Sequence, residues 1–325
     1  KINFQNSKKT IENKMTLPVY FDSKKSLNLL GLNQNFDFLK NLFITNKLPK
    51  ALMLSGKKGS GKSTIINHLM YYIFDEENYN LEKYELNSNT SFYNQFLNNI
   101  HPNIIYLSGS DFKNVKIEDI RNLKSKIFQT SISEKPRFII LDDIELFNVN
   151  SLNALLKIIE EPSKNNYFIL INNKSRPLLE TIKSRCLEIK IILNEKKRLN
   201  IIGSLIKKFG INYTLDPETS HLSPGYFIKF NYFFDLHKIN PNKDYLKNLT
   251  IILNLYKKNK EIIFIDMILF LTNVYFNNVK NKNFMSNEKI LENKNFIFDN
   301  INKFFLYNLN QNGLLNSINY KINNE

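Results

Sequence analysis

One short segment limits the possible folds of this chain more than any other: a glycine-rich loop at residues 56–64 joins an apolar run to an amphipathic run. The apolar run at 51–54 predicts a buried strand, and the apolar residues after the loop recur at the spacing of one helix face. The loop holds three of the nine glycines in the 325-residue chain, so composition alone does not explain it. A strand, a glycine-rich turn and a helix in this order predict an α/β fold.

The loop has the spacing of a phosphate-binding site. Gly56 is followed after four residues by Gly61, Lys62 and Ser63. In such a loop the backbone N–H groups surround a phosphate, the lysine reaches the β- and γ-phosphate oxygens, and the serine hydroxyl binds Mg²⁺. The sequence therefore predicts a nucleotide that contacts the whole loop: Gly56, Lys57, Lys58, Gly59, Ser60, Gly61, Lys62, Ser63 and Thr64.

Short apolar runs alternate with helical patterns between residues 51 and 192. Because each run is continuously apolar, the runs predict strands that are covered on both faces; they lie at 51–54, 103–107, 137–141, 167–171 and 187–192. Apolar residues at helical spacing predict helices at 116–128 and 150–161. Strands that alternate with helices predict a parallel α/β sheet.

The C-terminal part of the chain lacks helix breakers. All nine prolines lie at or before Pro241, and the only glycine after it is Gly313. Because the segment is also rich in Leu, Ile and Phe, it predicts an all-helical domain over residues 241–325. Its most lipid-like stretch, 262–271, is shorter than a membrane span and carries Asp266, which favours a buried helix and no membrane attachment.

Charge and cysteine content exclude some classes of protein, but they do not show whether the chain binds nucleic acid. A net charge of +15 is compatible with nucleic-acid contact, since lysines that neutralise phosphates release counterions. The alternative is compositional bias, because only five of the 45 basic residues are arginine. The single cysteine, Cys186, excludes a disulfide framework and a multi-cysteine zinc site and suits the cytoplasm. Residues 1–24 lack the apolar core of a signal peptide, so we expect a flexible N-terminal extension there.

Two acids form a second group of candidate site residues. The apolar run at 137–141 ends in Asp142 and Asp143. A carboxylate at the C-terminal end of a strand lies where open α/β sheets bind ligands, so we assign Mg²⁺ to Asp142 together with Ser63. Asp143 is the candidate catalytic base, and it is one methylene shorter than the glutamate often found at this place. The alternative is that both acids only begin a turn.

Two further polar residues follow later strands. Asn172, at the end of the fourth predicted strand, is a candidate nucleotide contact; the alternative is a turn asparagine. Arg185 precedes the fifth strand in a chain with about eight lysines for each arginine. A guanidinium suits planar, bidentate recognition of phosphate, so Arg185 is a candidate catalytic residue. Its alternative is a surface ion pair.

Four stretches together resemble the bacterial clamp-loader branch of the AAA+ ATPases, and within it the delta-prime subunits. They are the phosphate loop, the acidic strand end at 141–145, the run at 151–162 and the triplet Ser184-Arg185-Cys186. The run and the triplet are the specific features, because a phosphate loop alone fits many families. The resemblance covers residues 28–230.

The resemblance implies an AAA+ nucleotide-binding domain over 25–192, a small helical lid over 193–240 and a helical oligomerisation domain, the collar, over 241–325. It implies ATP and Mg²⁺ as cofactors. It also implies assembly with gamma/tau and delta subunits into a hetero-pentamer that loads a sliding clamp onto primed DNA. The family's arginine finger corresponds to Arg185, which would act in trans at the neighbouring subunit's nucleotide.

Two departures from the family pattern concern ATP hydrolysis. Related active ATPases have an arginine in the lid, whereas here Ser223-Pro224-Gly225 is followed by Tyr226. The acidic pair is Asp-Asp, with Asp143 in place of a glutamate. Both favour a subunit that binds ATP and hydrolyses it weakly. The alternatives are a gamma/tau-type motor ATPase of the same loader and a pure scaffold with a vestigial phosphate loop.

Overall fold

A computed structural model of the chain describes residues 17–109, 135–162, 165–282 and 286–323, and the isolated residues 118, 120, 122 and 125. The four isolated residues are helical, and the rest of the helix predicted at 116–128 lies outside the described residues. Residues 1–16 of the predicted N-terminal extension also lie outside them.

The described strands and helices follow the chain in the predicted alternation. The strands are β1 (Ala51–Ser55), β2 (Tyr79–Asn80), β3 (Glu85–Leu86), β4 (Ile104–Ser108), β5 (Arg137–Asp142), β6 (Asn166–Asn172) and β7 (Leu187–Lys190). The helices of the sheet domain are α1 (Asn33–Ile44), α2 (Lys62–Phe74), α3 (Ser91–Leu97), α4 (Val149–Glu160) and α5 (Glu180–Lys183). The remaining helices are α6 (Glu195–Phe209), α7 (Pro217–Ser220), α8 (Pro224–Leu236), α9 (Tyr245–Asn259), α10 (Ile262–Asn281), α11 (Asn287–Tyr307) and α12 (Gln311–Asn323).

The main sheet has five parallel strands in the order β4-β5-β6-β1-β7. Each predicted strand overlaps its observed counterpart, so the predicted parallel α/β sheet is confirmed. In addition, β2 and β3 form a small antiparallel ribbon that the sequence patterns did not predict. The carboxyl ends of β1, β5 and β6 lie at the same edge of the sheet, and this edge holds the candidate site.

Apolar cores cover both faces of this sheet. Along β1, Leu54 belongs to a core that includes residues of α1 and α2, whereas Met53 belongs to a second core with residues of α4. Successive side chains of a strand point to opposite faces, so a continuously apolar strand supplies both cores. This arrangement explains why the sequence of β1 shows no polar alternation.

The lid and the C-terminal helices share one apolar core. Phe233 of α8 contacts Phe264 of α10 with ring centroids 5.0 Å apart, and Phe230 contacts Phe270 at 5.6 Å. The buried residues of this core come from α6 and α8 as well as from α9 to α12. The helical architecture after the sheet is therefore confirmed, and the apolar face of the predicted lid packs against the predicted collar.

Helix α10 is the one helix among the described residues that is long and apolar enough to cross a membrane. It packs in the shared helical core through one face, which includes Phe264, Met267 and Leu271. Its acidic residue, Asp266, accepts a hydrogen bond from the hydroxyl of Tyr226 on α8. These contacts support the interpretation of α10 as a core helix.

The end of the predicted N-terminal extension packs on the molecule. Residues 17–24 include a 3-10 helix at Val19–Phe21, and a second one follows at Ser23–Lys25. The ring of Tyr20 contacts that of Phe209 at 4.9 Å, and the ring of Phe21 contacts that of Phe233 at 5.5 Å. Residues 17–24 are therefore packed against the helices, and the expectation of a flexible segment is wrong for this part of the extension.

Candidate functional site

The phosphate loop lies between β1 and α2 in a conformation that favours glycine at three positions, Gly56, Gly59 and Gly61. Gly59 and Gly61 have φ angles of +78° and +92°, which are in the left-handed region. A Cβ on Gly61 would lie 2.4 Å from Leu32 Cδ1, and one on Gly59 would lie 2.8 Å from the backbone nitrogen of Tyr226. The loop is therefore closely packed against Leu32, which immediately precedes α1, and against α8.

Lys62 is the first residue of α2, and its side chain is almost fully buried, with 2% of its surface exposed. Its ammonium donates to the backbone carbonyls of Gly56 at 2.9 Å and Lys57 at 2.8 Å. Burial lowers the pKa of Lys62 to about 8, against the opposing effect of the nearby acids. The loop thus holds a partly desolvated cation, for which a phosphate is a better partner than two neutral carbonyls.

Asp142 ends β5 beside the first turn of α2. Its Oδ2 accepts from Ser63 Oγ at 2.9 Å and from the hydroxyl of Tyr106 at 2.5 Å, and its Oδ1 accepts from the backbone N–H of Asp143 at 2.9 Å. Burial and the charge of Asp143 raise the pKa of Asp142 above its ordinary value. The predicted magnesium ligands, Ser63 and Asp142, are therefore in direct contact.

This oxygen pair fits Mg²⁺. Magnesium prefers hard oxygen ligands, and at nucleotide sites it is held by one or two protein side chains together with phosphate oxygens and water. Ser63 supplies a hydroxyl and Asp142 a carboxylate, and both line the cavity that contains the phosphate loop. When bound, the ion would neutralise charge on the phosphates; the protein groups at this place would hold it and orient it.

Asp143, the candidate base, has several partners in the structure. Its Oδ1 accepts from Asn173 Nδ2 at 2.6 Å and lies 3.6 Å from the ammonium of Lys58. It adopts a left-handed backbone conformation with φ of +50°, which turns the chain out of β5. Asp143 lines the cavity, but its carboxylate is engaged by a lysine of the phosphate loop and by an amide.

The two asparagines at the end of β6 have different surroundings. Asn172 is buried, and its Oδ1 accepts from the backbone N–H of Lys174 at 2.8 Å, which is the geometry of the turn alternative. Asn173 lines the cavity and contacts Asp143. The amide that faces the candidate site is therefore that of Asn173, one residue after the predicted Asn172.

Arg185 lies outside this cavity, just before β7. Its Nε donates to Glu160 Oε1 at 2.5 Å, and its Nη1 donates to the backbone carbonyl of Thr181 at 3.0 Å. The side chains of Arg185 and Glu160 are 36% and 42% exposed. In the isolated chain Arg185 thus forms the surface ion pair of the alternative interpretation, at a position accessible to another molecule.

The cavity that contains the loop has a volume of about 600 Å³. Its lining combines apolar side chains with groups that suit phosphate and a cation, as ligand sites usually do. The apolar part of the lining includes Tyr20, Phe21, Leu30, Leu32, Ile201, Leu205 and Phe209, and the charged part includes Lys58, Lys62, Asp142, Asp143, Lys229 and Asp266. Residues of the sheet domain and of the helices that follow it both line this cavity.

Two contacts tie α8 to the phosphate loop. The backbone N–H of Gly225 donates to the carbonyl of Gly59 at 2.9 Å, and the hydroxyl of Ser223 donates to the carbonyl of Lys58. Lys229 follows one turn later on α8 and lines the same cavity. Burial lowers the pKa of Lys229, as for a cation largely removed from water.

Sequence reasoning missed several polar residues of the site. Tyr106 lies within the apolar run of β4 and Lys229 within the apolar sequence of α8. Neither position has a sequence pattern that indicates a site residue. Glu145 accepts from the backbone N–H of Asn173 at 3.1 Å and from the hydroxyl of Ser175 at 2.7 Å, so it shapes the turn after β6. Its place in the acidic run after β5 was the only signal that could have indicated it.

The part of the chain that carries these residues matches a known family. The family model described as DNA polymerase III, delta subunit, matches residues 31–194, slightly more than half of the chain. The chain belongs to the DNA polymerase III delta subunit family. The matched range includes the phosphate loop, Asp142 and Arg185, so the family membership rests on the domain that holds the candidate site.

Relatives of two subunit types share parts of this sequence. DNA polymerase III subunit delta' of Bacillus subtilis is 29% identical over 148 residues, which are 46% of this chain and 44% of that protein. Subunit delta' of Buchnera aphidicola subsp. Baizongia pistaciae is 27% identical over 149 residues, or 44% of each chain. Subunit gamma of Buchnera aphidicola subsp. Schizaphis graminum is 34% identical over 99 residues, which are 30% of this chain and 27% of that protein. The family member described here thus spans less than half the length of these curated relatives.

Proposed function

We propose that this member of the DNA polymerase III delta subunit family is a delta-prime-type subunit of the clamp loader that binds ATP with Mg²⁺. One observation carries the proposal: Ser63 and Asp142 are 2.9 Å apart beside a glycine-rich loop that buries Lys62. A hydroxyl, a carboxylate and a buried ammonium in this arrangement match the requirements of a magnesium-bound polyphosphate. The apolar lining that includes Leu30 and Phe209 would receive the base.

Weak hydrolysis by this chain's own site is part of the proposal. Asp143 is shorter than glutamate, and its carboxylate is held by Lys58 and Asn173. Both partners contact Oδ1 and hold the side chain in one orientation, so a water molecule would have to be positioned at Oδ2. Tyr226 donates its hydroxyl to Asp266, so at this position the lid offers the nucleotide no cation. These contacts support binding with slow turnover.

Arg185 is proposed to act at a neighbouring subunit. It lies outside the cavity of its own chain, and its ion pair with Glu160 is exposed, so little free energy opposes its transfer to another anion. A guanidinium brought to a partner's γ-phosphate would stabilise charge in the transition state. The proposed partners are gamma/tau and delta subunits in a cytoplasmic hetero-pentamer, with the sliding clamp and primed DNA reached through the complex.

Two other functions have specific observations in their favour. The similarity to a gamma subunit supports a motor ATPase of the same loader. The bonds from Ser223 and Gly225 to the loop carbonyls support a scaffold in which the loop is a structural element under α8. Turnover by the isolated chain separates the motor from the proposed binder, and equilibrium ATP binding separates the binder from the scaffold.

The decisive experiment for ATP binding is equilibrium titration of the full chain with ATP and Mg²⁺. Lys62→Ala should remove most of the ATP affinity, because it deletes a charge-assisted contact to phosphate. Lys83→Ala, which changes an exposed lysine of the same domain, is the matched control and should bind like the unchanged chain. Equal ATP affinity for the Lys62→Ala variant and the unchanged chain would exclude the proposed nucleotide site.

A further inference from the structure

Tyr106 reaches the carboxylate of Asp142 from the neighbouring strand. It lies on β4 opposite Ile140 of β5, two residues before Asp142, so both side chains lie on the same face of the sheet. The Tyr106 hydroxyl donates to Asp142 Oδ2 at 2.5 Å, the same oxygen that accepts from Ser63. This places a third side chain at the proposed magnesium pair.

The ring of Tyr106 is also held from its other side. The ammonium of Lys24 lies 4.0 Å from the ring centroid, and it donates to Asn99 Oδ1 at 2.5 Å. A cation over the face of a tyrosine ring is attracted by the ring quadrupole. The segment before α1 therefore helps to fix the direction in which the Tyr106 hydroxyl points.

Three donors fix the orientation of the Asp142 carboxylate. Its Oδ2 accepts from Tyr106 and Ser63, and its Oδ1 accepts from the backbone N–H of Asp143. Hydrogen bonds to a metal-binding carboxylate orient it toward the ion. The donor on Oδ2 therefore bears on metal affinity and not only on packing.

We propose that Tyr106 is a positioning residue for Mg²⁺, whose hydroxyl holds the Asp142 carboxylate in a fixed orientation toward the ion. The proposal rests on the proposed function, since it assumes that Ser63 and Asp142 receive Mg²⁺ with ATP. Tyr106 acts through Asp142 and does not contact the nucleotide itself. Hydrogen-bond partners of metal ligands commonly change metal affinity by about 10- to 100-fold when they are removed.

The test is the Mg²⁺ dependence of ATP affinity in the full chain carrying Tyr106→Phe. This change removes the hydroxyl and keeps the ring under Lys24. Tyr84→Phe is a matched control, because the Tyr84 hydroxyl donates to a carboxylate oxygen of Asp37 at 2.6 Å, and neither residue lines the cavity. ATP binding is measured by titration at increasing Mg²⁺ and again with excess EDTA.

We expect Tyr106→Phe to raise the Mg²⁺ concentration for half-maximal effect about tenfold, and to leave ATP affinity in EDTA unchanged. The Tyr84→Phe variant should match the unchanged chain in both measurements. An unchanged Mg²⁺ dependence in Tyr106→Phe, or an equal loss of affinity with and without Mg²⁺, would overturn the positioning role alone. ATP binding by the unchanged chain that does not respond to Mg²⁺, or no ATP binding at all, would overturn the proposed function as well.

Discussion

Gly225 donates its backbone N–H to the backbone carbonyl of Gly59 at 2.9 Å, so the first turn of α8 rests directly on the phosphate loop. Further along α8, Phe230 and Phe233 pack against α10. A single helix thus contacts both the candidate nucleotide site and the core of the C-terminal helices. A conformational change in the phosphate loop could therefore reach the C-terminal helices through α8 alone.

The close contact between α8 and the phosphate loop predicts the effect of adding a methyl group at Gly225. A Cβ at Gly225 would lie 3.0 Å from both the Cα and the carbonyl oxygen of Gly59, so the two segments must separate. We expect Gly225→Ala to lower the free energy of unfolding by about 1 to 3 kcal/mol, the usual cost of overpacking. Chemical denaturation of the purified variant measures this loss.

Gly203→Ala is the control for that substitution. Gly203 lies within α6, and a Cβ there would meet nothing within 4 Å. Because alanine is the better helix former by about 1 kcal/mol, this variant should be as stable as the unchanged chain or more stable. If Gly225→Ala proved equally harmless, the close contact between α8 and the loop would not exist in solution.

The buried ammonium of Lys62 predicts a pH dependence of ATP binding. Burial lowers the pKa of Lys62 to about 8 in the free chain, and a bound phosphate would raise it again. Below this pH the ammonium is already charged. Above it, binding must take up a proton, so ATP affinity should fall with rising pH, by up to about tenfold per pH unit.

Titrations with ATP on both sides of this pKa check the prediction. The variant Lys62→Met, whose unbranched side chain is one atom shorter and uncharged, should bind ATP weakly at every pH and lack the fall. An affinity that stays constant through the pKa in the unchanged chain would mean that Lys62 does not meet the phosphates.

The shared helical core predicts that the chain cannot be cut between residues 240 and 241 without damage. Removal of the C-terminal helices would expose Phe233 and Phe234, which are fully buried in α8. We expect a chain that ends at residue 240 to lose cooperative unfolding of α6 and α8 and, with them, part of the cavity lining. Circular dichroism during heating and limited proteolysis measure this directly.

A surface substitution serves as the control and as a better test of the collar. Leu306 is 75% exposed near the end of α11, so Leu306→Asp should keep the fold. If this face docks other subunits, the variant should remain folded and assemble poorly. A chain ending at residue 240 that stayed folded and bound ATP would show that the helical core divides at the predicted boundary.

The sequence predicted that the phosphate loop and the acidic strand end would lie together, because these residues follow local rules. The loop spacing placed Lys62 and Ser63 at the start of a helix, and a strand that ends in acids placed Asp142 beside them. Parallel strands bring their carboxyl ends to one edge, so two distant motifs meet without further information. The sheet itself was predictable for the same reason.

The rest of the site depends on contacts that no local pattern encodes. The direction in which the chain leaves β6 decides whether Asn172 or Asn173 faces the cavity. The sequence does not show this direction. Tyr106 contacts Asp142 because β4 neighbours β5, and strand order is not visible in the apolar runs. Arg185 pairs with Glu160, which lies 25 residues earlier at the end of α4. The packing of α8 against α10 is a further example, because helical periodicity does not say which helices cover one another.

The proposed trans role of Arg185 predicts that its substitution affects a neighbouring subunit and not its own chain. Because its side chain lies outside the cavity of its own chain, Arg185→Ala should leave ATP binding by the isolated chain unchanged. Loss of its exposed ion pair with Glu160 should cost at most about 1 kcal/mol of stability. Arg176→Ala, which changes another exposed arginine on a preceding turn, is the matched control.

The most direct measurement is the clamp-stimulated ATPase rate of a loader reconstituted with its partner subunits and the Arg185→Ala chain. An arginine finger contributes about 10³- to 10⁵-fold at the site that it serves, so that site should fall silent while the others continue. The expected result is normal assembly, a partial loss of total ATPase and reduced clamp loading, with Arg176→Ala like the unchanged chain and Arg185→Lys a poor substitute. Full ATPase and full clamp loading by the Arg185→Ala loader would contradict the trans role and leave Arg185 as a surface ion pair.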